Sequence, residues 1–260
     1  MLVQASRSIR RQLSTVAAIV TLVLALAVVQ GSVAFATTPE ALTTAARARV
    51  FFGHQSVGLN ILSGVPAVYA DGGVSAPPIE QGETAAGPTG GFISHQFIGE
   101  NGNPLLKIAD FDRTIRAGMG RQVDVALMKF CYVDITAGTD VNAVFAKYRD
   151  TLAGLARDFP TVSFIRTTVP LTTNSGGQAD NAARERLNTL IRGQDGGNLF
   201  DLAAIESTRP DGTRVSGQYG NQAYFALYDG YAPDSGHLNA LGSKVTAAGL
   251  LEAIARASQR

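Results

Sequence analysis

The chain of 260 residues has one cysteine, three histidines and no tryptophan. A lone Cys131 excludes an intrachain disulfide framework and a cysteine-based zinc site. Three histidines (His54, His95 and His237) leave little material for a histidine-rich metal centre. An excess of one charge is missing too. The 22 Lys+Arg nearly balance 21 Asp+Glu, for a formal net charge of +1. Nothing in that balance favours nucleic acid as a partner. Disorder is excluded by composition, since 45 % of the residues are apolar. What remains is a globular domain held by packing, preceded by a segment of different character.

That segment is residues 1–36. Arg7, Arg10 and Arg11 form a basic start with no acid nearby. An apolar run from Val16 to Val29 follows, broken only by Thr21, and then Ala34-Phe35-Ala36. These are the three parts of a secretory signal, in order. The run is shorter than the ~20 apolar residues of a membrane span. The expectation is therefore cleavage after Ala36, no stable span afterwards, and a single domain over 37–260 in the periplasm or the medium. Arg10-Arg11 admits twin-arginine export, but an ordinary Sec signal is the simpler reading. Losing the three arginines leaves 19 basic residues against 21 acidic, so the mature domain is slightly acidic. Cys131, in an apolar run, reads as a buried and inert thiol.

From residue 49 onward short apolar runs alternate with amphipathic stretches, the pattern of a parallel α/β sheet. Strands are expected at Arg49–Phe52, around Ile79, and at Val123–Phe130, Thr161–Val169 and Asn198–Leu202. Helices are expected from Pro39 to Ala48, from Ser56 onward, and over Pro104–Ala117, Asp140–Asp158, Ala179–Arg192 and Leu238–Ala257. The stripe Val141, Val144, Phe145, Tyr148, Leu152 and Leu155 marks the clearest of them. Residues 70–91 and 206–236 read mainly as loop. The implied fold class is α/β, a three-layer α/β/α sandwich on five parallel strands. Such sheets carry their sites beyond the carboxyl ends of the strands.

Two segments at such ends bear reactive side chains. In Phe51-Phe52-Gly53-His54-Gln55-Ser56-Val57-Gly58, the serine falls between a strand and a helix N-terminus. Backbone N–H groups and the helix dipole favour negative charge there, which suits a nucleophile with its own oxyanion donor. A helix N-cap is an equally good reading of Ser56. In Asp234-Ser235-Gly236-His237-Leu238-Asn239-Ala240-Leu241-Gly242, an acid and an imidazole stand three apart in a glycine-containing loop before a helix. The carboxylate can fix one ring nitrogen and leave the other to take a proton from a serine. A surface Asp-turn is the plainer alternative.

Other candidates are weaker. His54 and His95 rival His237 as bases, or are satisfied locally. Lys129 closes an apolar strand, either as a charge near the site or with its stem reaching the rim. His95 and Lys129 are the candidate substrate-binding residues. Tyr219, Tyr224, Phe225, Tyr228 and Tyr231 suit stacking on sugar rings, or packing of their own loop. Asp229 with Asp234 is too little for a cation site, so no metal is expected.

The early serine, the late Asp-x-x-His and the β/α units between them resemble the SGNH (GDSL-type) hydrolases, whose fold is flavodoxin-like. The resemblance covers about residues 49–258. The closing block of that family, Asp-x-x-His-x-Asn-x-x-Gly, matches at Asp234, His237, Asn239 and Gly242. The opening block departs: Gly53-His54-Gln55-Ser56 stands for Gly-Asp-Ser and is one residue longer. The resemblance implies a catalytic set of Ser56, Asp234 and His237. It also implies an oxyanion hole of the Ser56 N–H, a Gly and an Asn, with Gly102 in Gly99-Glu100-Asn101-Gly102-Asn103-Pro104 as the glycine. The expected Asn is missing from Lys129–Asp134. Either Asn101 or Asn103 replaces it, or a backbone N–H does, or activity is weak, since one such donor is worth ~3 kcal/mol.

The activity so implied is an exported serine ester hydrolase that forms an acyl-enzyme without metal or organic cofactor. Its partner would be a small-molecule or polysaccharide ester, an acetylated carbohydrate first and a lipid ester second. An acyltransferase and a catalytically weak carbohydrate-binding protein are the alternatives.

Overall fold

Successive residues of a strand face opposite sides of its sheet, and the central strands here are apolar on both. The computed structural model describes residues 37–82, 90–194, 196 and 198–259, so the expected leader over 1–36 lies outside the described residues. The main strands are β1 (Arg49–His54), β2 (Ile79–Gln81), β3 (Phe92–Phe97), β4 (Val125–Met128), β5 (Ser163–Thr167) and β6 (Asn198–Phe200). They form one parallel sheet in the order β2-β3-β1-β4-β5-β6. Val50 and Phe52 of β1 enter one core and Phe51 the other; Val125 and Leu127 of β4 likewise oppose Ala126 and Met128.

Such strands need helices on both faces. One layer holds α1 (Pro39–Arg47), α2 (Val57–Asp71), α6 (Leu202–Ser207) and α7 (Ala240–Ala257), with Leu42, Ile61, Val65, Leu202 and Leu250 in its core. The other holds α3 (Pro104–Ala117), α4 (Val141–Asp158) and α5 (Gln178–Arg192), with Phe111, Ile115, Tyr148 and Leu187. Full burial of each large apolar side chain stabilises the fold by about 1.5–3 kcal/mol. Helix starts follow the capping rules. Thr38 accepts from the Ala41 N–H ahead of α1, Asn103 from Leu106 ahead of α3, and Asp140 from Ala143 ahead of α4. Among the described residues no helix is long and apolar enough to cross a membrane.

The three-layer α/β/α sandwich therefore stands, with six strands rather than five. The added strand is β3, whose middle residues Ser94, His95 and Gln96 hide it from an apolar-run search. Two of them find partners inside the protein: the Ser94 hydroxyl donates to the Gly82 carbonyl at 2.6 Å, and His95 meets His54. The loop expected over 206–236 also contains a hairpin, β7 (Ser216–Tyr219) with β8 (Gln222–Phe225). Its aromatics mostly pack. Tyr224 and Tyr231 are buried, and the Arg214 guanidinium covers the Phe225 ring at 3.3 Å, while Tyr219 is exposed.

Chain order sets the site. From β1 the chain runs through α2 to β2 and β3 on one side, then crosses through α3 to β4 on the other. The carboxyl ends of β1 and β4 thus flank the crevice where this class of sheet binds ligands.

Candidate active site

Ser56 lies between the end of β1 and the first residue of α2. Its backbone stands at φ +44°, ψ −107°, and among the described residues no other non-glycine has positive φ. Such a conformation stores roughly 1–3 kcal/mol, and strain of this kind gathers at functional sites. The Ser56 hydroxyl makes no capping bond to α2. It lies 2.7 Å from His237 Nε2. Two contacts hold the turn. The His54 ring sits against Gly58, where a Cβ would come within 2.3 Å of it, and Gln55 Nε2 donates to the Gly99 carbonyl at 3.0 Å.

His237 Nδ1 stands 2.8 Å from Asp234 Oδ2. A carboxylate only accepts, so Nδ1 carries the proton, Nε2 is the acceptor and the Ser56 hydroxyl donates to it. Asp234 Oδ1 accepts from the backbone N–H of His237 at 2.7 Å and of Gly236 at 2.8 Å. These two N–H groups, followed by the imidazole, hold the Asp234 carboxyl down at about 2. Asp234 is therefore ionised wherever His237 could act as a base. The pair is open to solvent, with side chains 53 % and 41 % exposed.

The loop that carries them is fastened on several sides. Tyr132 stands edge-on to the His237 ring at 5.9 Å. Gly236 lies so close that a Cβ would come within 2.5 Å of the Tyr132 ring. The Ser235 carbonyl accepts from the Thr173 N–H at 2.9 Å, and Asn60 Oδ1 accepts from the Leu238 N–H at 3.3 Å. Asn239 caps α7, and Gly242 packs where a Cβ would lie 2.5 Å from the Tyr231 carbonyl oxygen.

The other expected site residues fall elsewhere. His54 and His95 are both buried and spent on each other, Nε2 to Nδ1 at 3.0 Å. Burial, then the Lys129 charge and His95, pull His54 down to about 3, and burial lowers His95 as well. Neither is hydrogen-bonded to Ser56, and His95 presents no open face to a substrate. Lys129 is wholly buried, because β4 is a central strand covered on both faces. Its Nζ donates to the Phe130 carbonyl at 3.1 Å and lies 3.6 Å from Cys131 Sγ. It is not a rim residue. The Gly102 N–H already donates to Asp134 Oδ1 at 2.8 Å, and Asn101 Oδ1 accepts from Lys107 Nζ at 2.9 Å. The Gly102 N–H is thus committed before any oxyanion forms. Among the described residues the Ser56 N–H meets no acceptor.

Sequence reasoning missed Gln55, Tyr132, Lys107 and Asp134. Only Lys107 left a signal: it precedes Phe111 and Ile115 at four-residue spacing, on the buried face of α3. A groove of about 290 Å³ against α4 and α5, lined by Phe145, Tyr148, Phe164 and Ile191 among others, does not include Ser56.

No protein-family model matches the chain, and no curated protein matches it by sequence. Solved structures resemble it in fold. The C-terminal catalytic domain of peptidoglycan O-acetyltransferase A from Streptococcus pneumoniae is similar at 12 % identity and TM-score 0.45, over 82 % of this chain and 95 % of that one. A catalytic mutant of an acetylxylan esterase from Geobacillus stearothermophilus is similar at 13 % identity and TM-score 0.41, over 80 % of this chain and 94 % of that one. Another acetyl xylan esterase is similar at 15 % identity and TM-score 0.42, over 78 % of this chain and 97 % of that one.

Proposed function

We propose that this chain is an exported serine ester hydrolase of the SGNH type, which removes small acyl groups, acetyl first among them, from a carbohydrate. The observation that carries the reading is the Ser56 Oγ to His237 Nε2 contact of 2.7 Å, with Nδ1 on the Asp234 carboxylate. His237 takes the Ser56 proton as Oγ attacks the ester carbonyl. The Ser56 N–H, at the positive end of α2, faces the developing oxyanion. The imidazolium then protonates the leaving alcohol and leaves an acyl-enzyme. Water, deprotonated by His237, releases the acid and restores the serine. Each step uses the chain's own groups.

The exposure of Asp234 and His237 supports the substrate class, since an open dyad admits a small acyl group on a bulky leaving group. The test compares hydrolysis of p-nitrophenyl acetate by the mature protein and its Ser56→Ala variant. The variant should lose roughly 10³-fold or more in kcat/KM; equal rates would overturn the reading. With an acetylated oligosaccharide and a second sugar as acceptor, free acetate should dominate, whereas acetylated acceptor would assign a transferase. Export is tested by N-terminal sequencing of the secreted protein, which should begin at Thr37.

A further inference from the structure

Beside the site, two loops are joined by a wholly buried ion pair that the mechanism above does not use. Lys107 of α3 and Asp134, in the turn after β4, are both 0 % exposed, with Nζ 2.7 Å from Oδ2. Asp134 Oδ1 accepts from the Gly102 N–H at 2.8 Å and from Nζ at 2.9 Å. Oδ2 accepts from the Cys131 N–H at 2.6 Å. The third partner of Nζ is Asn101 Oδ1, at 2.9 Å. The ammonium's three hydrogens are all used, and each carboxylate oxygen accepts from one backbone N–H and from the ammonium.

Desolvation makes such a pair a poor source of stability, and an apolar pair of similar volume often holds a fold as well or better. What the carboxylate does that an apolar group cannot is accept from both loops at once. One loop meets His237 itself, and the other holds the residue next to Ser56. The Gly99–Asn103 loop receives the Gln55 amide at 3.0 Å, one residue before Ser56. The Cys131–Asp134 turn carries Tyr132, edge-on to His237 at 5.9 Å.

We propose that Asp134, with Lys107 as its counter-ion, is a positioning residue that sets the spacing of the two loops flanking Ser56 and His237. The inference rests on the esterase reading. An asparagine in its place keeps the shape, but one end of its amide is a donor and cannot accept an N–H. Only one loop would stay fastened.

The test uses the mature chain with Asp134→Asn and with the apolar double variant Lys107→Met/Asp134→Leu. The readouts are kcat and KM for p-nitrophenyl acetate, the rate of Ser56 labelling by a fluorophosphonate, and the melting temperature. Both variants should lose 10- to 100-fold in kcat and in labelling rate, with KM within about twofold, even where the double variant melts like wild type. Wild-type kcat in either folded variant overturns the positioning role while leaving the esterase reading intact. A wild-type protein that is not labelled at Ser56 overturns the esterase reading, and the positioning role with it. Should neither variant fold, amide hydrogen exchange in wild type decides. The Gly102 and Cys131 amides should exchange as slowly as β4, and fast exchange there overturns the clamp.

Discussion

The backbone of Ser56 is strained, and the strain makes a prediction separable from chemistry. Glycine adopts positive φ freely, at an entropic cost of roughly 0.5–1 kcal/mol in regular structure, against roughly 1–3 kcal/mol of strain relieved. Ser56→Gly and Ser56→Ala should be equally inactive, but the glycine variant should be the more stable by about 1 kcal/mol. In a domain of this size that is about 2–4 °C in Tm, measurable by calorimetry. Asp234→Asn keeps the shape of the dyad and removes the acceptor that fixes the His237 tautomer. A loss of roughly 10²–10⁴ in kcat is expected, with binding little changed, as steady-state kinetics would show. Of these residues, Asp234 and His237 were legible because their spacing is local and the loop folds back on itself. In the sequence Ser56 reads equally as nucleophile and as cap; its hydroxyl lies off the helix and against the imidazole, a contact between residues too far apart in the chain to be read there. Lys129 misled because a lysine at a strand's end usually escapes to water, which a central strand covered on both faces does not permit.

At the scale of elements, α2 and α7 decide how Ser56 and His237 meet, since each residue lies just ahead of one helix. The helices touch at Gly64, where a Cβ would stand 2.2 Å from the Ser243 carbonyl oxygen. That is a backbone contact, which cannot be relieved by a rotamer change. Gly64→Ala should therefore separate the helices, cost about 1–3 kcal/mol of stability, and slow acyl-enzyme formation. Denaturant unfolding and burst-phase kinetics measure the two effects. The helices were readable from their periodicity and caps, as with Asp140 ahead of α4. The strand β3 was not, because its Ser94 and His95 are buried polar residues whose partners are far away in sequence. The link from Asp134 to Gly102 and Lys107 was hidden for the same reason: it joins residues about thirty positions apart.

For the whole molecule, two buried groups shape stability against pH. His54 falls from an ordinary 6.5 to about 3, chiefly through burial. The unfolded chain then binds the extra proton, so stability is lost as pH drops through that interval. Glu206 is wholly buried, with Oε2 accepting from the Leu171 N–H at 2.7 Å, and burial lifts it from 4.5 to about 8. Here the folded chain binds the extra proton, so stability is lost as pH rises from 4.5 towards 8. The two slopes oppose each other between 4.5 and 6.5, which places a plateau of stability there. Thermal melts across pH should show His54→Asn flattening the acid limb and Glu206→Gln the alkaline one. An unchanged alkaline limb in Glu206→Gln would refute its part.

The central claim is that Ser56, activated by His237, is the nucleophile. It is tested most directly by brief reaction of the mature protein with a fluorophosphonate, followed by peptide mass mapping. A single adduct on Ser56, lost in His237→Ala, is the expected result. No adduct on Ser56, or one formed as fast without His237, would contradict it.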